Sequence, residues 1–128
     1  MTYLLDTHVL IWAIEFPDKL SARARTLIAD EANALLVSAI SAFELANKVR
    51  LGKLPSGEKL HADYEALLVA AGISSVPVSA AIALRAGRLV ADHRDPFDRI
   101  IAATSLAADI PLLSIDEALD AFHVRRIW

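Results

Sequence analysis

The sequence predicts an α/β fold: a three-layer α/β/α sandwich around a short central parallel sheet. Two observations carry this. Short apolar runs alternate with longer stretches of helical periodicity, with turn residues between them. The runs show no polar alternation, as strands covered on both faces require. At 128 residues and 55% hydrophobic, the chain is long enough to bury one core and too short for two. Residues 1–128 are therefore expected to form a single domain.

Tyr3 to Leu5 reads as a buried strand, followed by a helix from Thr7 to about Glu15 that stops near Pro17. Ser21 opens a second helix through about Asp30, with Leu27 and Ile28 on its inner face. Ala34 to Val37 is the next strand. A helix is expected from Ser41 to Leu51, ended by Gly52. Residues 57 to 71 form another, closed by Gly72, and the Pro55 to Gly57 stretch between them is a loop. Ile73 to Val76 is a strand, and Ser79 to about Leu89 a helix. A polar pause at His93 to Asp95 leads through Pro96 into a helix ending at Ala108. Leu112 to Ser114 is a strand, residues 116 to 121 a short helix, and Val124 to Ile127 a final strand.

Composition excludes several chemistries. With no Cys, there is no disulfide, thiolate nucleophile or thiolate metal site, and a reducing compartment is indicated. Mean hydropathy is high at +0.44. Even so, apolar stretches such as Val9 to Ile14 fall far short of the roughly 20 residues of a membrane helix. No basic region precedes the first apolar residues, and Asp6 interrupts them, so a secretory signal is not expected and the location is read as cytoplasmic. A formal net charge of −3 and a pI near 5.7 argue against gripping nucleic acid by bulk charge.

Three carboxylates fall where strands of a parallel sheet hand over to helices, positions that gather along one edge, and a fourth, Asp98, starts a helix that follows another helix. Asp6 follows the first strand, Glu44 lies in the first turn of the helix expected from Ser41, Asp98 in the first turn after Pro96, and Asp116 just beyond Ser114. Each also suits a helix start. Asp6 can cap through Thr7, Ser41 and Glu44 read as a capping box, Asp95 can cap with Asp98 behind it, and Asp116 favours the helix dipole. As a group they are harder to explain, because like charges about 4 Å apart near a protein surface repel by about 4 kcal/mol. Shared protons or a bound divalent cation can offset that repulsion. All-oxygen ligands without Cys favour Mg²⁺ or Mn²⁺, with one or two ions, and the chemistry such a site serves is phosphodiester hydrolysis.

Four segments, in order, carry a resemblance: Leu4-Leu5-Asp6-Thr7-His8, Ser41-Ala42-Phe43-Glu44-Leu45, Asp95-Pro96-Phe97-Asp98-Arg99-Ile100-Ile101-Ala102-Ala103 and Leu113-Ser114-Ile115-Asp116. They resemble the motifs of PIN-domain ribonucleases, and most closely those of the VapC toxins of toxin–antitoxin modules. The likeness covers essentially the whole chain. It implies that Asp6, Glu44, Asp98 and Asp116 hold Mg²⁺ or Mn²⁺ for cleavage of RNA, with the hydroxyls of Thr7 and Ser114 assisting. Asp95 is left as an N-cap beside Asp98. The likeness further implies a homodimer and a cognate VapB-like antitoxin that blocks the acidic site. The outer faces of the helices at 21 to 30 and 57 to 71 are candidates for such contacts, although packing in the core accounts for most of their apolar residues.

Around the acids, Arg99 is expected to touch a scissile phosphate or to pair with a carboxylate. Lys48, Arg50 and Lys53 either track an RNA backbone or form a solvated helix face. His8 and His93 read as general-base candidates or as ordinary packed or surface histidines, and Trp12 and Phe16 as core or partner contacts. With the four acids assigned to a cation, the formal charge of the remainder is +1, which fits weak, salt-sensitive contact with RNA. Two rival classes stand beside this reading. A phospho-receiver signalling domain shares the length and an acidic Mg²⁺ pocket, but it needs a Lys after a late strand, where this chain has Ser114-Ile115-Asp116. A catalytically silent PIN module that only binds a partner is not suggested by a chain that keeps all four acids.

Overall fold

The computed structural model describes residues 1–54 and 57–128; Pro55 and Ser56, expected in a loop, lie outside the described residues. Five strands form one sheet: β1 (Thr2–Leu5), β2 (Ala34–Ser38), β3 (Ile73–Val76), β4 (Leu112–Leu113) and β5 (Arg126–Ile127). Their order is β3-β2-β1-β4-β5, and every pairing is parallel, with Leu4 beside Leu36 on one side and Leu112 on the other. Between the strands run α1 (Thr7–Glu15), α2 (Ala22–Ala29), α3 (Ala39–Arg50), α4 (Glu58–Ala62), α5 (Tyr64–Ala71), α6 (Ala80–Arg88) and α7 (Pro96–Ala108). Single 3₁₀ segments follow at Pro17–Lys19 and Glu117–Phe122.

Because successive strand residues face opposite ways, the two faces of the sheet receive separate cores. Tyr3, Leu5, Leu35, Val37, Ile73 and Leu113 pack against Leu10 of α1, Ala24 of α2, Leu60 of α4 and Leu68 of α5. Leu4 and Leu112 point the other way, onto Ile101 and Ala102 of α7 and onto Leu119 and Phe122 of the last 3₁₀ segment. This is the expected three-layer architecture. Among the described residues no helix is long and apolar enough to cross a membrane.

Several boundaries differ from expectation for local reasons. Helix α3 begins at Ala39, not Ser41, because Ser38 ends β2 and its own Oγ accepts from the Ile40 N–H at 3.2 Å. Ser41 therefore lies inside the helix, and Glu44 sits in its second turn, so the pair forms no capping box. The helix expected over 57–71 is two helices. Asp63, at φ −126° and ψ 38°, leaves helical space between α4 and α5. The apolar spacing of Leu60, Tyr64, Leu67 and Leu68 continues across the break, so periodicity alone gives no sign of it. Gly72 closes α5 as expected, at φ +69°, the left-handed cap that glycine adopts without strain.

Candidate active site

The chain leaves β1 towards β2 and β3 on one side and returns to β4 on the other, so the strand order reverses between β1 and β4. In open parallel sheets the crevice beyond the strand ends at such a reversal is where ligands bind. Asp6 stands at the end of β1 and Ser114 directly after β4. The Asp6 N–H donates to the Leu113 carbonyl at 3.0 Å, and the Ser114 hydroxyl donates to Asp6 Oδ2 at 2.6 Å. Oδ1 accepts from the Thr7 N–H at 2.8 Å, so the N-cap expected of Asp6 is present. Only one carboxylate oxygen is used for it.

Asp6 is 6% exposed, and burial pushes its carboxyl above the ordinary range against the two hydrogen bonds that pull it down. The Glu44 charge adds to the upward push, opposed by His8. Glu44, on α3, is 4% exposed. Its Oε2 takes the Lys48 ammonium at 2.6 Å, one helical turn on, while its Oε1 is buried with no hydrogen-bond partner. Such an orphan is rare in a folded protein, because leaving a buried charged oxygen unpaired costs several kcal/mol.

Asp98, in the first turn of α7, is raised to about 6, chiefly by burial. A 2.7 Å hydrogen bond between Asp98 Oδ2 and His93 Nε2 works against that rise, while the charges of Asp6 and Asp95 add to it. Asp95 is the N-cap of α7, as expected: its Oδ1 accepts from the Phe97 and Asp98 N–H groups at 2.9 and 3.3 Å. Asp98 uses neither carboxylate oxygen for capping. Asp116 caps the last 3₁₀ segment, accepting from the Ala118 N–H at 3.0 Å. It joins the group through Ser114, whose Oγ accepts from the Asp116 N–H at 3.0 Å while donating to Asp6.

The structure thus brings Asp6 into the electrostatic reach of both Glu44 and Asp98 and ties Asp116 to it through one hydroxyl. Among the described residues, no three His, Asp or Glu side chains lie close enough to share one ion. Each acid is held by its own partner instead: Ser114 and Thr7 for Asp6, Lys48 for Glu44, His93 for Asp98. The donor set still fits a hard cation. It is all oxygen, and the orphaned Glu44 Oε1 is a buried ligand atom without a ligand.

Two other expectations need correction. Thr7 does not meet the acids through its hydroxyl; its Oγ1 pairs with Ser41 Oγ at 2.8 Å in a buried contact that fastens α1 to α3. Arg99 neither pairs with a carboxylate nor presents itself to a phosphate. Its guanidinium donates to the backbone carbonyls of Ala86, Gly87, Leu89, Ala91 and His93, folding the α6–α7 connection around itself, and it stacks over Phe122. Ser114 stands beside Asp6 as expected, whereas the partnerships of Lys48 with Glu44 and of His93 with Asp98 were not anticipated. The Glu44–Lys48 spacing of four is a legible ion-pair signal on a helix. For His93 there is no such signal, since a loop residue's direction is set by the Arg99 clip. Of the remaining candidates, Arg50 donates to Asn47 Oδ1 at 2.7 Å, and Trp12 packs on the core between His8 and Trp128.

The chain is similar in structure to VapBC2 from Rickettsia felis bound to a DNA fragment from their promoter, with a TM-score of 0.63 and 21% identity over 91% of this chain and 89% of that one. It is also similar to FitAcB from Neisseria gonorrhoeae, with a TM-score of 0.62 and 24% identity over 98% and 96%. FitAB bound to an IR36 DNA fragment gives 0.61 and 20% over 98% and 93%. No curated protein sequence matches the chain. A family model described as the PIN domain matches residues 3–124, which includes most of β1, all of β2 to β4 and all four acids, and the chain belongs to the PIN domain family.

Proposed function

We propose that this PIN domain is a divalent-cation-dependent endoribonuclease and the toxin of a VapBC-type toxin–antitoxin pair. The observation that carries the reading is Glu44 Oε1, buried and unpaired on a carboxylate within electrostatic reach of Asp6, whose charge in turn acts on Asp98. Neither Glu44 nor Asp98 spends its carboxylate on capping a helix, so helix capping does not account for them. Asp6, Glu44 and Asp98 are the proposed holders of Mg²⁺ or Mn²⁺, with Asp116 completing the set at the rim. When bound, the cation supplies an acidified water and neutralises charge on phosphate oxygens.

The chain's own residues prepare that site. Ser114 and the Thr7 N–H fix the plane of the Asp6 carboxylate. The Arg99 clip fixes the loop that aims His93 Nε2 at Asp98 Oδ2, where one proton can be held between the two atoms. Support for the toxin role is the order of the four motifs and the likeness to complexes named VapBC2 and FitAB. On that basis the proposed partners are an RNA substrate, a VapB-like antitoxin and a second copy of the chain.

The test is incubation of antitoxin-free protein with structured and unstructured RNAs, with Mg²⁺ or Mn²⁺ and with chelator. Cleavage is expected only with the cation, and Glu44→Gln and Asp98→Asn are each expected to slow it by at least about 100-fold while remaining folded. Cleavage that survives chelation, or an Asp98→Asn protein as fast as the parent, rejects the nuclease mechanism. Expression without a partner should arrest growth in the parent and not in Asp6→Asn.

A further inference from the structure

The geometry points to Lys48 as a positioning residue of the acidic site, an internal counter-ion that holds Glu44 and competes with the metal for it. This rests on the reading of the site as a cation-binding nuclease centre. Four observations support it. The Lys48 ammonium lies 2.6 Å from Glu44 Oε2, short for an ion pair and within one turn of α3. Glu44 is almost fully buried, so its charge is poorly neutralised by water, and Lys48 is the one cationic side chain bonded to it among the described residues. The lysine side chain itself is 28% exposed, so it can swing out without unfolding the helix. Finally, the second Glu44 oxygen has no partner, which leaves the carboxylate half satisfied.

A monovalent ammonium on one oxygen stands in for part of what a divalent ion offers to both. Lys48 thereby relieves the repulsion between Glu44 and Asp6 in the metal-free protein and keeps the carboxylate near its working position. The same charge opposes the ion's arrival, because a cation entering beside Glu44 meets the ammonium at short range in a poorly screened site. Metal uptake at the free Oε1 therefore proceeds against the Lys48 charge held on Oε2. Lys53, exposed just beyond the end of this helix, has no such side-chain bond among the described residues and no such effect.

The experiment is Mn²⁺ binding to the full chain, read by the loss of the free-ion electron paramagnetic resonance signal, at low salt and without RNA. Lys48→Met is expected to bind Mn²⁺ at least about fivefold more tightly than the parent, since the competing charge is gone. Lys48→Arg, which keeps the charge, is expected to stay within about twofold of the parent, as is Lys53→Met. Raising the salt should narrow the gap between Lys48→Met and the parent. A Lys48→Met protein with unchanged or weaker affinity, its circular dichroism intact, overturns the assignment while leaving the metal site standing. Tightening in Lys48→Arg equal to that in Lys48→Met also overturns it, because bulk and not charge is then responsible. If the parent and all three variants take up no Mn²⁺, the cation reading of the site falls and this inference falls with it.

Discussion

Burial, the dominant cause, lifts the Asp98 carboxyl from its unfolded value near 3.8 to about 6. The folded form therefore holds that proton more tightly than the unfolded chain does. The resulting stabilisation is complete below about 3.8 and is lost as pH rises through about 6. In metal-free protein, Asp98→Asn should unfold at the same urea concentration as the parent near pH 4. It should be more stable than the parent at pH 7.5, by about 1 kcal/mol once solvent screening is discounted. A parallel pair of pH profiles would refute this. Ser114→Ala tests the neighbouring link: it strips Asp6 Oδ2 of its hydrogen bond and the Asp116 N–H of its acceptor. Urea melts should show a loss of about 1–3 kcal/mol, and Thr104→Ala, whose Oγ1 only bonds back to the Ile100 carbonyl in its own helix, should lose less. At this scale the sequence made the acids legible, because strand ends and helix starts are encoded locally. Contacts made by long side chains were not. The role of Arg99 was hidden because the five carbonyls that surround it come from the last turn of α6 and from a loop whose path no local pattern describes.

That loop is itself an element whose backbone is anchored chiefly by Arg99. Residues 89–95 connect α6 to α7 with few regular backbone bonds of their own, and the Arg99 guanidinium satisfies their inward carbonyls. Arg99→Lys keeps the charge but cannot present a planar fork to carbonyls on several sides. It should destabilise the chain by about 2–4 kcal/mol, with hydrogen exchange rising first across 86–95 and His93 losing its fixed approach to Asp98. Exchange that rises evenly over the whole chain would instead mean that the clip serves general stability alone. Helix boundaries show why local signals succeed or fail. Ser21, Ser79 and Asp95 stand at the caps the sequence indicates, because each offers one side-chain acceptor just before an apolar run. Ser38-Ala39-Ile40-Ser41 offered two serines about one turn apart, and the Ser41–Glu44 spacing favoured the wrong one. The winner was decided by β2, which stays paired with β3 as far as Ser38 and forces the helix to start at once.

Strand order is a property of the whole molecule, and nothing local in the sequence states it. The apolar runs identify strands but do not say that β4 lies beside β1, which is the one adjacency that joins Ser114 to Asp6 across 108 residues of chain. The consequence is that site and fold share their energetics. Asp6 and Glu44 are buried, and Asp98 partly buried, by the same sheet edge and helix ends that make the cores, so their repulsion and desolvation weigh on global stability and not on a detachable loop. A cation that binds only the folded acids must return that energy. At 100 times its dissociation constant it stabilises by about 2.7 kcal/mol. For a chain of this length, a kilocalorie shifts the melting temperature by roughly 4 °C, so saturating Mn²⁺ should raise the midpoint by about 10 °C. Glu44→Gln and Asp6→Asn should lose most of that shift, and each should melt no lower than the parent in chelator, since the substitution also removes a buried like charge. Calorimetry with and without the ion separates the two effects. An equal Mn²⁺ shift in Glu44→Gln would place the ion elsewhere on the surface. A marked fall in the chelator melting point of Asp6→Asn would mean that its carboxylate supports the fold more than it strains it.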